Sequence, residues 1–567
     1  YDIASIADTV SKADGGTFEA NVTFATGADI ITGSAGTDNV RIGSGALGAI
    51  QSGGNENVAV GKNALAAQTT ADNNTAVGTE ALAANTTASS NTAFGWNALK
   101  LNVTGNNNVA VGAAALDALT AGDKNIAIGV SALGSQNTSN GSDTHNVAVG
   151  HASGASLTSG TSNTFVGSLT GFNMTTASNN TFIGYNSGND TTTGGDNVAI
   201  GSGALAAQTE GGDNVAIGHL ALSTLTTAGN NTAVGDRAMQ ASTSGENNVA
   251  VGTLALDANT SGSLNTCIGR SAGSAATTVS DNTFVGAYCG DAATSGDNTG
   301  VGSGALGGSL TGDQNTAVGK NAGNALTSGV DNVFIGHLAG LGATTAGDCT
   351  LVGEQAGGGA TMTGDKNTLI GRAAGYVISS GENNVCLGNN AGRSSSPSGN
   401  ISTGSNNVVL GDDNTSSLFC ADTSISSSDS RDKADITNFN IGLNWIKDLR
   451  PVTYKWDKRS WYGTEEEPYG TPDGSKKQTK VNIGFLAQEA LEVEKANGFG
   501  DSADTMLVCN ITEDGERYGM KYERLVPILV NAVKELSTKN DALEAQNTTQ
   551  ATQIADLITR VTALEAE

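Results

Sequence analysis

The stretch NNVAVGAAALDALTAGDKNIAIG, residues 107–129, carries one motif twice, closing on Gly112 and again on Gly129. Aligned on that glycine, the motif recurs from Gly43 to Gly411, 22 times in all, and 16 of the 21 intervals are 17 residues long. The five exceptions are Gly43 to Gly61, Gly129 to Gly150, Gly286 to Gly302, Gly353 to Gly371 and Gly388 to Gly411, the last being 23 residues. A fixed period decides the architecture before any local propensity does. Irregular spacings at isolated points are what surface turns tolerate.

The consensus reads N-[TV]-[AF]-[VI]-G-x-x-A-[LG], then a turn rich in Thr, Ser, Gly and Asp. Four residues before each glycine stands Asn in 21 of 22 repeats, with Cys349 the exception. An amide recurring once per coil can bond to its equivalents up a ladder. The alternation around the central residue is that of a short strand with both faces at least partly buried. The glycine makes a tight bend, and A-L or A-G opens a second short segment. One or two short strands in 17 residues make one turn of a β-solenoid, which buries its core only by stacking on its neighbours. The fold class expected is mainly β: a parallel β-solenoid or β-roll of 17-residue repeats over residues 39–411.

Composition agrees. Glycine at 78 of 567 residues, 4% aromatics and five prolines describe neither a large globular enzyme nor a Pro-rich disordered chain. The net charge of −27 comes without a basic patch able to neutralise phosphates, so no nucleic acid partner is expected. No run approaches 18 apolar residues, so no membrane insertion is expected. Cys267, Cys289, Cys349, Cys386, Cys420 and Cys509 show neither CxxC nor metal-ligand spacing and read as reduced, buried small residues, in keeping with assembly in a reducing cytoplasm. No cofactor is expected. The acids Asp196, Asp213, Glu246, Asp297 and Asp313 lie in turns, one per coil, and read as solvated turn residues. Trp96, Tyr185, Tyr288 and Tyr376 are isolated surface aromatics, and His145, His151, His219 and His337 have no ligand spacing. No catalytic site is read in the repeats.

The motif N-N-V-A-V-G resembles the head repeats of trimeric autotransporter adhesins, which form a parallel β-roll in a three-chain bundle. Their usual repeat is shorter, about 14 residues, which leaves the cross-section open. At about 4.8 Å per coil, 22 coils would extend on the order of 100 Å.

The second decisive stretch is SSSDSRDKADI, residues 426–436. By itself it reads as a polar linker. Downstream follow LRPVTYKW (449–456), IGFLAQEALEV (483–493) and YERLVPILVNAVKEL (522–536). With these in order, residues 428–567 resemble the C-terminal intramolecular chaperone of phage tailspikes and tail fibres, the endosialidase type. That family cleaves itself with a Ser–Lys dyad, and its S-D-x-R-x-K pattern matches Ser428, Asp429, Arg431 and Lys433. The resemblance implies Ser428 as nucleophile, Lys433 as its base, Asp429 and Arg431 as supporting residues, and scission between Ser427 and Ser428. Any enzymatic activity would be a single turnover.

A free lysine, with a pKa near 10.4, is a poor base at neutral pH unless burial or a neighbouring cation lowers it. Ser428 and Lys433 are about 140° apart on a helix, and on opposite faces of a strand. The pair therefore needs a bend between them or a lysine from another chain.

LRPVTYKW reads as a strand with aromatics on one face, and IGFLAQEALEV as a strand running into a helix. Leu529, Leu536, Leu543, Gln550, Leu557 and Leu564 recur every seven residues, with Val533, Asn540, Asn547, Ile554 and Val561 four after each of the first five. These are the d and a positions of a coiled coil of about 39 residues. Heptads leave dimer and trimer open; the resemblance favours three chains.

The organisation expected is a connector at 1–38 that continues upstream, the repeats at 39–411, a linker at 412–427, the chaperone and self-cleaving domain at 428–523, and a helix with trimeric coiled coil at 524–567. The function expected is a homotrimeric phage tail fibre or tailspike. It would be located in the virion, attached to the tail or baseplate through a missing N-terminal part, and bound to a host cell-surface receptor. The alternatives are a bacterial trimeric adhesin, for which the sequence shows no membrane-anchoring barrel strands, and a polysaccharide-depolymerising tailspike.

Overall fold

The computed structural model describes residues 35–138, 142–415, 430–464, 467, 469–512 and 515–566. It divides into two compact units, 1–244 and 245–567. Among the described residues, the first holds twelve strands of three residues, from β1 (Val40–Ile42) to β12 (Thr232–Val234). Each pairs in parallel with the next, Val58 on Thr75 and Val198 on Val215 for example. The second holds ten more, β13 (Val249–Val251) to β22 (Val408–Leu410), in the same parallel succession. The strands of each unit stack as a parallel β-solenoid, as the period predicts.

Each coil has one strand, and the backbone explains why the A-L segment is not a second. Leu65, Leu82, Leu99 and their equivalents adopt φ near +50°, a left-handed conformation that ends an extended run. Their backbone N–H groups still reach the next coil, Leu82 to Ala98 O at 3.0 Å. The left-handed conformation costs a leucine about 1–2 kcal/mol. Complete burial of its side chain, worth about 1.5–3 kcal/mol, offsets it. The repeat glycine is more constrained. Gly78 has φ +136°, and a Cβ there would stand 2.3 Å from the carbonyl oxygen of Gly95 one coil on. No side chain fits that approach.

The asparagines form the expected ladder. Asn197 is fully buried; its backbone N–H and Nδ2 donate to Asn180 Oδ1 at 3.0 and 3.2 Å, and Nδ2 also donates to Gly211 O at 3.0 Å. At Cys349 the backbone N–H still donates to Asn332 Oδ1, at 3.0 Å, while the thiol turns to Gly347 O at 3.2 Å. The rung from Asn332 thus keeps its backbone bond at the substitution.

The core holds a size rule that the consensus conceals. Where the central strand residue is alanine, as at Ala59, Ala76, Ala199 and Ala250, the left-handed position six residues later is a buried leucine. Where it is Phe182, Phe284, Leu369 or Cys386, that position is Gly188, Gly290, Gly375 or Gly392. A Cβ on Gly188 would lie 2.3 Å from the Phe182 ring. Ala148 with Gly154 and Ala317 with Gly323 break the rule within their coils. In both, the phenylalanine of the following coil, Phe165 or Phe334, reaches back to fill the gap. Volume is conserved layer by layer, as close packing demands.

Cys267, Cys289, Cys349, Cys386 and Cys509 are free and buried, and burial pushes the Cys267 thiol up to about 12. Cys420 lies outside the described residues.

Beyond the last coil stands a small α+β domain. Helix α1 (Leu443–Asp448) leads to β23 (Val452–Tyr454), which pairs antiparallel with β24 (Asn482–Gly484). These strands are the ones read in LRPVTYKW and IGFLAQEALEV. Tyr454 and Trp456 share a face, edge to face at 5.1 Å. Helix α2 (Ala487–Ala496) follows β24 directly, and β25 (Cys509–Ile511) with β26 (Tyr518–Met520) makes a second antiparallel pair. Trp445, Leu449, Leu491, Val508, Leu525 and Ile528 centre the core. A buried charge, Glu494, accepts backbone N–H bonds from Leu507, Val508 and Cys509, which fixes the entry to β25. Helix α3 (Leu525–Glu565) seats its first turns in this core, with Asn531 Nδ2 donating to Phe439 O at 2.6 Å. Pro527 falls in the first turn, where no helical N–H is lost. No described helix is long and apolar enough to cross a membrane.

Candidate functional site

Charged residues gather at the junction and at the interface beside it. Ser427, Ser428 and Asp429 lie outside the described residues. Ser430–Asp432 form a single 3₁₀ turn, and the Lys433 N–H donates to Ser430 O at 3.4 Å. That turn falls between positions 428 and 433, where a bend is required to bring a serine and a lysine five residues apart onto one side. Arg431 and Lys433 are both exposed in the single chain. Asp435 follows with φ +51°, a second reversal within three residues of Asp432.

The interface beside the junction was not legible as a site. Asp413, two residues after the last repeat glycine, is buried against the α+β domain. Its carboxylate receives Arg517 through two bonds, Nη1 to Oδ1 at 2.9 Å and Nη2 to Oδ2 at 2.6 Å. The Ser460 hydroxyl also donates to Oδ2. Lys458 Nζ lies 3.8 Å from Oδ1 and donates to the Asp413 carbonyl at 2.8 Å. Arg517 has two further acceptors, Ser396 O at 2.6 Å and Ser394 O at 2.5 Å, and its Nε donates to Tyr469 Oη at 3.2 Å. All five guanidinium N–H groups are directed at acceptors, the arrangement that suits a planar fork. Burial acts to raise the Asp413 pKa, but the hydrogen bonds from Arg517 and Ser460 and the charges of Arg517 and Lys458 outweigh it. The carboxyl is held below its ordinary value.

Arg517 is carried by the turn entering β26, and Lys458, Ser460 and Tyr469 by the excursion between β23 and β24. Two antiparallel pairs thus present one cluster to the last coil.

Residues 428–499 match the family model of the chaperone of endosialidase. The match opens on Ser428 and runs through α1, β23, β24 and α2. A parallel β-solenoid followed by an endosialidase chaperone fits a tail fibre or tailspike with a chaperone of that type. A search of curated proteins finds no match to the chain.

Proposed function

We propose that the chain is the homotrimeric shaft of a bacteriophage tail fibre or tailspike that attaches a virion to its host surface. Its chaperone domain drives trimerisation and then severs its covalent link to the shaft by cutting Ser427–Ser428. The observation that carries this reading is the endosialidase chaperone match beginning at Ser428, immediately after a long β-solenoid.

Two apolar faces support association of like chains. On α3 the heptad positions Leu529, Val533, Leu536, Leu543, Ile554 and Leu557 are all exposed in the single chain. In the solenoid units the outward strand residues repeat in the same way: Ile128, Ile183 and Ile217 in the first, Ile268, Ile335 and Ile370 in the second, each exposed. Continuous apolar faces of this extent mark interaction surfaces. Three parallel chains with matching periods present them to one another coil by coil.

In the cleavage step the Ser428 Oγ attacks the carbonyl carbon of Ser427 while Lys433 accepts its proton. The amide nitrogen of Ser428 takes a proton and leaves as the new N-terminal amine, and the Ser427 acyl group passes to Oγ as an ester. Water then hydrolyses the ester to a Ser427 carboxylate and regenerates the Ser428 hydroxyl. Lys433 is exposed on one chain, so the base requires burial by the preceding segment or by a neighbouring chain. Cleavage would follow assembly.

The test is the mass of the denatured chain after expression, wild type beside Ser428→Ala. The expected result is pieces 1–427 and 428–567 from the wild type and an intact variant. An intact wild type would overturn self-release and leave the domain as a permanent trimerising tip.

A further inference from the structure

The last repeat interval, Gly388 to Gly411, is the longest in the chain. Its additional residues lie in the segment RSSSPSGN, 393–400, and they are ordered by their own bonds. Ser396 Oγ accepts the Gly392 N–H at 3.1 Å, the Ser396 N–H donates to Arg393 O at 2.9 Å, and the Gly399 N–H donates to Ser396 O at 3.0 Å. The Asp413 N–H closes the coil onto Ser395 O at 2.6 Å. These contacts turn the carbonyls of Ser394 and Ser396 and the carboxylate of Asp413 toward one point. Arg517 occupies it, 104 residues further along the chain than Asp413.

We infer that the enlarged last coil is a docking seat for the chain's own C-terminal domain, latched by Arg517, and that the seat holds the domain without help from the connecting peptide. The acceptors of the seat come from three positions, Ser394, Ser396 and Asp413, which meet only once the last coil has closed. The latch therefore forms on a finished solenoid end and not on an unfolded one. Its side chains are shielded, with 4% of the Asp413 side chain and 17% of that of Arg517 exposed, so salt screens it weakly. Every seat residue lies before 428, and Arg517, Lys458 and Ser460, which grip it, lie after, as does Tyr469, which accepts from Arg517 Nε. Breaking the chain between 416 and 428 leaves all of these bonds in place, so scission and separation are distinct events.

The inference does not depend on self-cleavage, and the experiment separates the two. In the full chain carrying Ser428→Ala, a site for a specific protease is inserted between Ser424 and Ile425 and cut under native conditions at neutral pH. Size-exclusion chromatography then reads whether the C-terminal piece travels with the solenoid. Co-elution is expected. Asp413→Asn is expected to raise the dissociation rate at least tenfold, as is Arg517→Gln. Because Asp413→Asn alters only the solenoid side, it tests the latch even if Arg517→Gln disturbs the domain's own folding. Prompt separation of the cut parent, or cut Asp413→Asn holding the domain as long as the parent, would overturn the inference.

Discussion

At the scale of the residue, Asp413 shows how one carboxylate is made costly to leave alone. Removing one partner of a buried ion pair leaves an uncompensated charge and costs about 3–5 kcal/mol, whereas an exposed pair is worth under about 1 kcal/mol. Its pKa is held below the ordinary carboxylate value of 3.8. The native state thus binds its proton less tightly than the unfolded one, and the stabilisation is fully present above the ordinary value. It is lost as pH falls through the lowered one. Docking of the domain, followed by protection of the Arg517 loop from proteolysis, is expected to be constant from pH 7 to about 5 and to fail below the usual carboxylate range. Among the described residues, Arg517 and Lys458 are the charges that face Asp413. An acid limb that survives unchanged in Asp413→Asn would assign the effect to other groups.

At the scale of the element, each coil is a closed volume shared between a strand residue and a left-handed residue. The rule makes a coupled prediction. Phe182→Ala alone opens a cavity and is expected to cost about 3–5 kcal/mol. Gly188→Leu alone drives a side chain into the Phe182 ring, and overpacking of this kind costs about 1–3 kcal/mol. Together they recreate the Ala–Leu pairing of Ala199 with Leu205 next door, so the double variant is expected to recover most of both losses. Thermal unfolding of the four proteins reads this as a coupling energy. Simple additivity would show that the two positions do not share one core layer.

At the scale of the whole molecule, near-identical coils carry a register problem. A slip of one repeat between neighbouring chains preserves almost every outward contact, so an end-point is needed to set the alignment. Parallel pairing over long separations is also slow and exposed to aggregation. In the proposed trimer the heptads of α3 would supply that end-point, with Asn540 and Asn547 as polar positions that favour one register over others. Truncation after Leu536 keeps the α3 turns that pack in the domain core and removes most heptads. The truncated chain is expected to fail to form the proposed trimer and to enter large aggregates through its outward apolar strands, as light scattering would show. A soluble trimer from it would place the trimerising surface in the solenoid itself.

The repeat was legible because it is a one-dimensional property. A period of 17, a glycine that tolerates no Cβ and an amide ladder are each written in neighbouring residues, and stacking adds only the next copy of the same pattern. The strands of the α+β domain and the long helix α3 were legible for the same reason, since alternation and helical spacing are local. The motif at Ser428, Asp429, Arg431 and Lys433 was visible by resemblance, and the family match opens on its first serine. The size rule was also present, as Ala with Leu and Phe with Gly six residues apart, but a consensus written position by position averages it away. The Arg517 seat had no such signal. The long interval at 388–411 looked like a tolerated insertion, and nothing near Arg517 names Ser394, Ser396 or Asp413 as its partners. Local periodicity determined the coils; only tertiary structure decided what meets across 104 residues, because a buried charge takes its partner from the folded surface and not from its neighbours in the chain.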